Sequence, residues 1–179
     1  MKPDPYHYDQ TATGWVVHRM VYGTDPIKPD ILIASRETDG VHKSPYEAIT
    51  RTYELNGQQL AMHPLDALLH LFVTATTETH SGAVIGASLL LGLYNGMRFP
   101  FDLTELRRLD RQNYEAAMTA IRFDTPCKME VHDWLNIITG RSDMGRRFEW
   151  MAWRFKLVQE MPDDVQPEPL NLLSPLACE

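Results

Sequence analysis

Hydrophobic and polar positions follow two different periods along this chain, with the change near Pro64. Before it, apolar residues come in short runs rich in β-branched and aromatic side chains. "GWVVHRMVYG" (Gly14 to Gly23) is bounded by glycines and predicts a strand near 14–22. "TDPIKPD" is turn material, and "ILIASRE" predicts a second strand near 31–37, most simply antiparallel to the first. The segment 44–62 carries two patterns at once. Ser44, Pro45 and Glu47 have the spacing of a capped helix start with Gly57 as its stop. Against this, Ile49, Arg51, Tyr53 and Leu55 alternate up to Asn56-Gly57, a hairpin signal. The alternation and the β-favouring Thr50, Thr52 and Tyr53 tip the balance narrowly to a hairpin over 48–62.

After Pro64 the period is helical. Leu65, Leu68, Leu69, Phe72 and Val73 share one face of a helix near 64–77, with Pro64 suited to its first turn. "SGAVIGASLLLGLYNG" predicts an apolar helix near 82–95, capped by Ser81 and stopped at Asn95-Gly96. Its internal glycines each cost about 1 kcal/mol against alanine, which close approach of a neighbouring element would offset. The region 102–123 splits into two helices. Asp102 caps the first, with Glu105 three residues on and Phe101 against Leu106; Asp110 caps the second, with Tyr114, Ala117, Met118 and Ile121 facing inward. Further helices are predicted near 129–139 and 143–158, the last capped by Ser142 or Asp143. Its stripe is Phe148, Met151, Phe155 and Val158, widened by Trp150 and Trp153. The pattern thus predicts an α+β fold: a small antiparallel sheet packed with about five helices in a single domain over 13–160. Residues 1–12 fall outside it as a loose N-terminus, and 161–179 as an acidic, proline-rich tail.

The 179 residues suffice for one core, and 44% hydrophobic with 23% charged residues is ordinary for a globular chain. No apolar run approaches the roughly 20 residues of a membrane span, and the polar N-terminus lacks a signal-peptide core, so the expected compartment is the cytoplasm. Cys127 and Cys178 are then expected to be reduced. The net charge of −7 divides into −4 before Arg98, +2 over 98–156 and −5 after it. Attraction to nucleic acid is therefore not a property of the whole chain, although one face could be basic.

Chemistry-bearing groupings are few. His63, Asp66 and His70 have helical spacing and are the candidate metal set, weakened by Pro64 directly after His63. Glu130, His132 and Asp133 could serve proton transfer, but adjacent helix positions point about 100° apart, so His132 and Asp133 are not expected to converge. No nucleophile elbow or phosphate loop occurs. Arg141, Arg146, Arg147 and Arg154 interleave with aromatics, a pattern that can hold single-stranded nucleic acid but also builds a core with a solvated face.

The run "GASLLLGLYNGMRFPFDLTELRRLD", followed by "AIRFDTPCKMEVHDWL", resembles an uncharacterised domain of proteobacterial plasmids, integrative elements and phage-like regions, over roughly residues 65–155. The resemblance implies a mobile-element setting and transfers no catalytic residue. Together these features predict a non-enzymatic accessory or regulatory protein working through protein contacts, in one version an anti-defence inhibitor. Its partner-binding candidates are Arg98, Arg107, Arg108, Arg146, Arg147 and Arg154. No cofactor is expected, and homo-oligomerisation is compatible with the pattern. A nucleic-acid-binding regulator and a metal-dependent enzyme around His63, Asp66 and His70 are the alternatives.

Overall fold

The computed structural model describes residues 5–24, 27–28 and 32–159. The predicted tail over 161–179 and the predicted strand start at Ile31 lie outside the described residues. The chain divides into two compact units between His63 and Pro64, and each is considered by itself. Among the described residues the fold is α+β, as the pattern predicts.

The first unit holds β1 (His7–Thr11), β2 (Gly14–Thr24), β3 (Leu32–His42) and α1 (Pro45–Leu55). The strands form an antiparallel sheet in the order β1-β2-β3. The pairing of β2 with β3 is the predicted one. β1 lies in the stretch expected to be loose: "HYDQT" is polar, and only Tyr8 is buried, so its sequence carries no apolar alternation. Pairing with β2 supplies the backbone bonds that its side chains do not advertise. Helix α1 lies against all three strands, and Trp15, Val17, Ala48 and Ile49 are among the buried residues of this unit. One residue from each strand, Asp9, His18 and Arg36, converges in a polar cluster that ties the sheet together.

The hairpin expected over 48–62 is instead this helix, and the reason is local. The Ser44 hydroxyl accepts from the Glu47 amide at 3.2 Å, and the Glu47 carboxylate reaches back to the Lys43 amide at 3.2 Å. Asn56-Gly57 does require a left-handed glycine, with Gly57 at φ +66°. However, Asn56 stays at φ −85°, whereas the two-residue hairpin turn needs positive φ at both positions. The Gln58 and Gly57 amides donate to the Tyr53 and Glu54 carbonyls, each at 2.9 Å, which is the paired hydrogen bonding of a helix C-terminus.

The second unit is helical: α2 (Pro64–Thr77), α3 (Ser81–Tyr94), a short 3-10 helix (Leu103–Arg108), α4 (Arg111–Asp124), α5 (Val131–Thr139) and α6 (Met144–Arg154). Its core joins Leu65, Leu68 and Phe72 of α2, Leu90 and Leu91 of α3, Leu135 of α5 and Phe148 of α6, all essentially inaccessible. The Phe72 and Phe148 rings stack at 5.8 Å. Among the described residues, no helix is long and apolar enough to cross a membrane.

Three local expectations change. The α3 cap is His80, whose Nδ1 accepts from the Ala83 amide at 3.2 Å, so Ser81 is already helical. On α4 the buried face is Asn113, Ala116, Ala117, Ala120 and Phe123, one position off the predicted stripe, with Tyr114 exposed. Small alanines carry this face, so a periodicity weighted by side-chain size misplaces it. Helix α6 stops at Arg154, which leaves Phe155 and Val158 beyond its end. Close approach holds at Gly92 of α3, where a Cβ would lie 3.1 Å from the Phe101 Cβ and 3.3 Å from the Phe99 carbonyl.

Candidate functional site

The turn after α3 is built by Asn95. Its amide donates to the Leu91 carbonyl at 2.8 Å, closing the helix. Its own carbonyl accepts from the Arg98 and Phe99 amides at 3.1 and 2.8 Å, and its side-chain oxygen also accepts from the Arg98 amide at 3.1 Å. The stop is therefore made by asparagine rather than by a left-handed Gly96. Phe99 then turns inward and is buried, while Met97 at the tip is 99% exposed. The chain runs on to Asp102, whose carboxylate accepts from the Thr104 amide at 2.8 Å; this backbone bond holds its pKa below the usual carboxylate range.

Arg98 stands at the centre of this region. One guanidinium nitrogen donates to Glu149 of α6 at 2.8 Å, and the guanidinium carbon lies 4.7 Å from the centre of the Phe99 ring. Glu149 also accepts from the Tyr94 hydroxyl at 3.4 Å. Burial, followed by the Glu149 charge, raises the Tyr94 pKa. The Tyr94 ring meets the His132 ring edge-on at 5.2 Å. His132 Nε2 lies 3.4 Å from the Asp133 carboxylate, so these neighbours converge after all. The imidazole is long enough to swing across the 100° between their Cβ directions. His132 Nδ1 is buried with no hydrogen-bond partner among the described residues.

Beside Arg98 lies a cleft of about 200 Å³ lined by Ser88, Arg98, Phe99, Pro100 and Leu157. Its lining residues are apolar apart from Ser88 and Arg98. Leu157 on its rim is 51% exposed, and Leu103, shortly beyond Pro100 in the chain, is 66% exposed. Sequence reasoning singled out Arg98 but missed Ser88 and Leu157, because a serine inside an apolar helix and a leucine past a helix end carry no signal of their own.

The remaining arginines fare differently. Arg141 makes a two-pronged bond to Asp143 at 2.7 and 2.9 Å, and Arg147 reaches the same carboxylate at 3.1 Å. The Arg141 hydrogen bonds, with the Arg147 charge adding, bring the Asp143 pKa down to about 2. Arg147 is only 7% exposed, which places this partner-binding candidate inside the protein. Arg154 donates to the Ala75, Thr76 and Glu78 carbonyls, capping the C-terminus of α2, which has no basic residue in its own last turn. Arg108 pairs with Glu105 one turn back. Arg107 and Arg146 are exposed. Of the arginines of the nucleic-acid pattern, Arg141, Arg147 and Arg154 bond to acceptors of this unit, while Arg141 and Arg146 remain exposed.

The metal set is not assembled either. Among the described residues, no group of three or more His, Cys, Asp or Glu side chains is placed to hold an ion. His63 stacks on Tyr46 at 4.5 Å. His70 Nε2 lies 3.0 Å from the Asn113 side-chain oxygen, while Asn113 donates to Asp110 at 2.6 Å. That donation orients the amide, so His70 must present its Nε2–H to it. The relay Asp110–Asn113–His70 fastens the start of α4 to α2. Cys127 is an exposed free thiol in the turn after α4.

The chain belongs to a family of unknown function (DUF7673), whose model matches residues 65–154, just over half of its length. That span covers α2 to α6 nearly end to end, including Tyr94, Arg98, His132 and Glu149. No curated protein and no solved structure matches the chain.

Proposed function

We propose that the protein is a non-enzymatic accessory protein that works through protein contacts made by the turn after α3 and the cleft beside it. The observation that carries this reading is the nearly full exposure of Met97 on a turn held by four hydrogen-bond contacts to Asn95 and its neighbours. An apolar side chain presented to water on an ordered support, with Leu103 and Leu157 also exposed nearby, is the composition of a contact surface. In its narrower form, a cytoplasmic protein of a mobile element acting on a host factor as an anti-defence inhibitor, the reading rests on the motif resemblance and the acidic net charge. A photo-crosslinking side chain placed at Met97 or Leu103, compared with one at exposed Arg122, tests it in cells. Polypeptide adducts at the first two positions and not at Arg122 are expected. Equal labelling at all three positions would sink the proposal.

A further inference from the structure

We infer that the cleft lined by Ser88, Arg98, Phe99, Pro100 and Leu157 receives a carboxylate borne beside an aliphatic side chain on a partner polypeptide. This rests on the protein-contact reading above and specifies the chemistry of the partner.

Size sets the first constraint. About 200 Å³ is below the roughly 300–1,000 Å³ of small-molecule and cofactor sites and matches one side chain of a larger ligand. The lining sets the second. Phe99 and Pro100 form an apolar floor and Leu157 an apolar rim, which favour an aliphatic group.

The polar groups decide the charge. A guanidinium has five N–H donors, and the Arg98 side chain gives one bond to Glu149 and makes no other hydrogen bond in the described structure. The Ser88 hydroxyl likewise makes none. Both residues line the same cleft. Glu149 holds Arg98 from one side, and the Phe99 ring at 4.7 Å supports it from below, so the guanidinium is positioned before any ligand arrives. With Glu149 already balancing the Arg98 charge, what remains at the cleft is donor capacity: a carboxylate offers two charged acceptor oxygens, an amide one neutral one and a cation none.

The test is a titration of the full chain, labelled for amide NMR, with the peptide acetyl-Gly-Ser-Gly-Leu-Leu bearing a free carboxylate. The expected result is saturable shifts confined to Ser88, Arg98, Phe99, Leu157 and their neighbours. The same peptide as its C-terminal amide should bind about 10-fold more weakly, as should the free acid against Arg98→Ala; Ser88→Ala should lose about 3-fold. Circular dichroism confirms that both variants fold. Equal affinity for acid and amide, or shifts centred elsewhere, would overturn the inference. So would 4-methylpentanoate binding as tightly as the peptide, which would make the ligand a small acid. A 10-fold gain in peptide affinity when Leu170, Leu172 and Leu173 of the full chain are changed to serine would also overturn it, by assigning the cleft to the chain's own acidic end. Failure of the titration while crosslinks persist at Met97 and Leu103 removes the cleft chemistry alone; loss of both removes the contact reading as well.

Discussion

In α6 and the loop before it, Arg141, Arg147 and Arg154 aim at acceptors within the protein; in the turn after α3, Arg98 gives one bond inward and leaves the rest of its fork at a cleft. Arg98, Arg147 and Arg154 each stand next to an aromatic residue, and in the sequence these three look alike. The difference lies in what each can reach. Arg154 stands over a helix end with open carbonyls, and Arg147 is anchored one helical turn from Asp143. Arg98 meets a single carboxylate. A basic-aromatic stretch is therefore a statement about available donors, and the neighbouring acceptors decide whether they build the fold or face outward.

The sharpest way to break this contrast is at Asp143. Asp143→Ala leaves the buried Arg147 without that carboxylate and should cost about 2 kcal/mol, below the usual 3–5 for a fully buried pair because the Asp143 side chain is about a third exposed. A denaturant midpoint measured at neutral pH checks it. The same carboxylate predicts an acid profile. Its folded pKa of about 2 lies below the unfolded value near 3.9, so its contribution is complete above the unfolded pKa and disappears as pH falls through the folded one. Asp143→Asn should therefore narrow the stability difference from the parent chain as pH drops from about 4 towards 2, and an unchanged difference across that window would count against the assigned contact.

Next in size is Arg154→Ala, expected to cost about 1.5 kcal/mol by releasing the carbonyls at the end of α2. Amide exchange should rise first around Ala75 to Glu78. Smallest is Arg98→Ala, expected within about 0.5 kcal/mol because its pair with Glu149 is exposed. A loss at Arg98 as large as that at Arg154 would erase the distinction between structural and outward-facing arginine.

Much of the architecture was legible in the residues. Caps at Asp102 and Asp110 sit where their spacing places them, because an N-cap is a bond between near neighbours in the chain. The apolar period of α2 points Leu65, Leu68 and Phe72 into the core for the same local reason. Of the candidate site, Arg98 was visible as an unassigned cation, and the cleft was not. Its lining comes from positions as distant as Ser88 and Leu157, and no local pattern links them.

Local sequence is enough for the α+β class, the change of period at Pro64, most helix starts and the joints around Asn95, Asp102 and Asp110. These depend on contacts within one or two turns. Tertiary structure decided the rest. It made β1 a strand through pairing with β2, sent Arg147 and Arg154 inward, drew His70 to Asn113 instead of to a metal set, and brought Ser88 and Leu157 to one cleft. Each of these outcomes is chosen by a partner far away in the chain, so the local sequence cannot carry it.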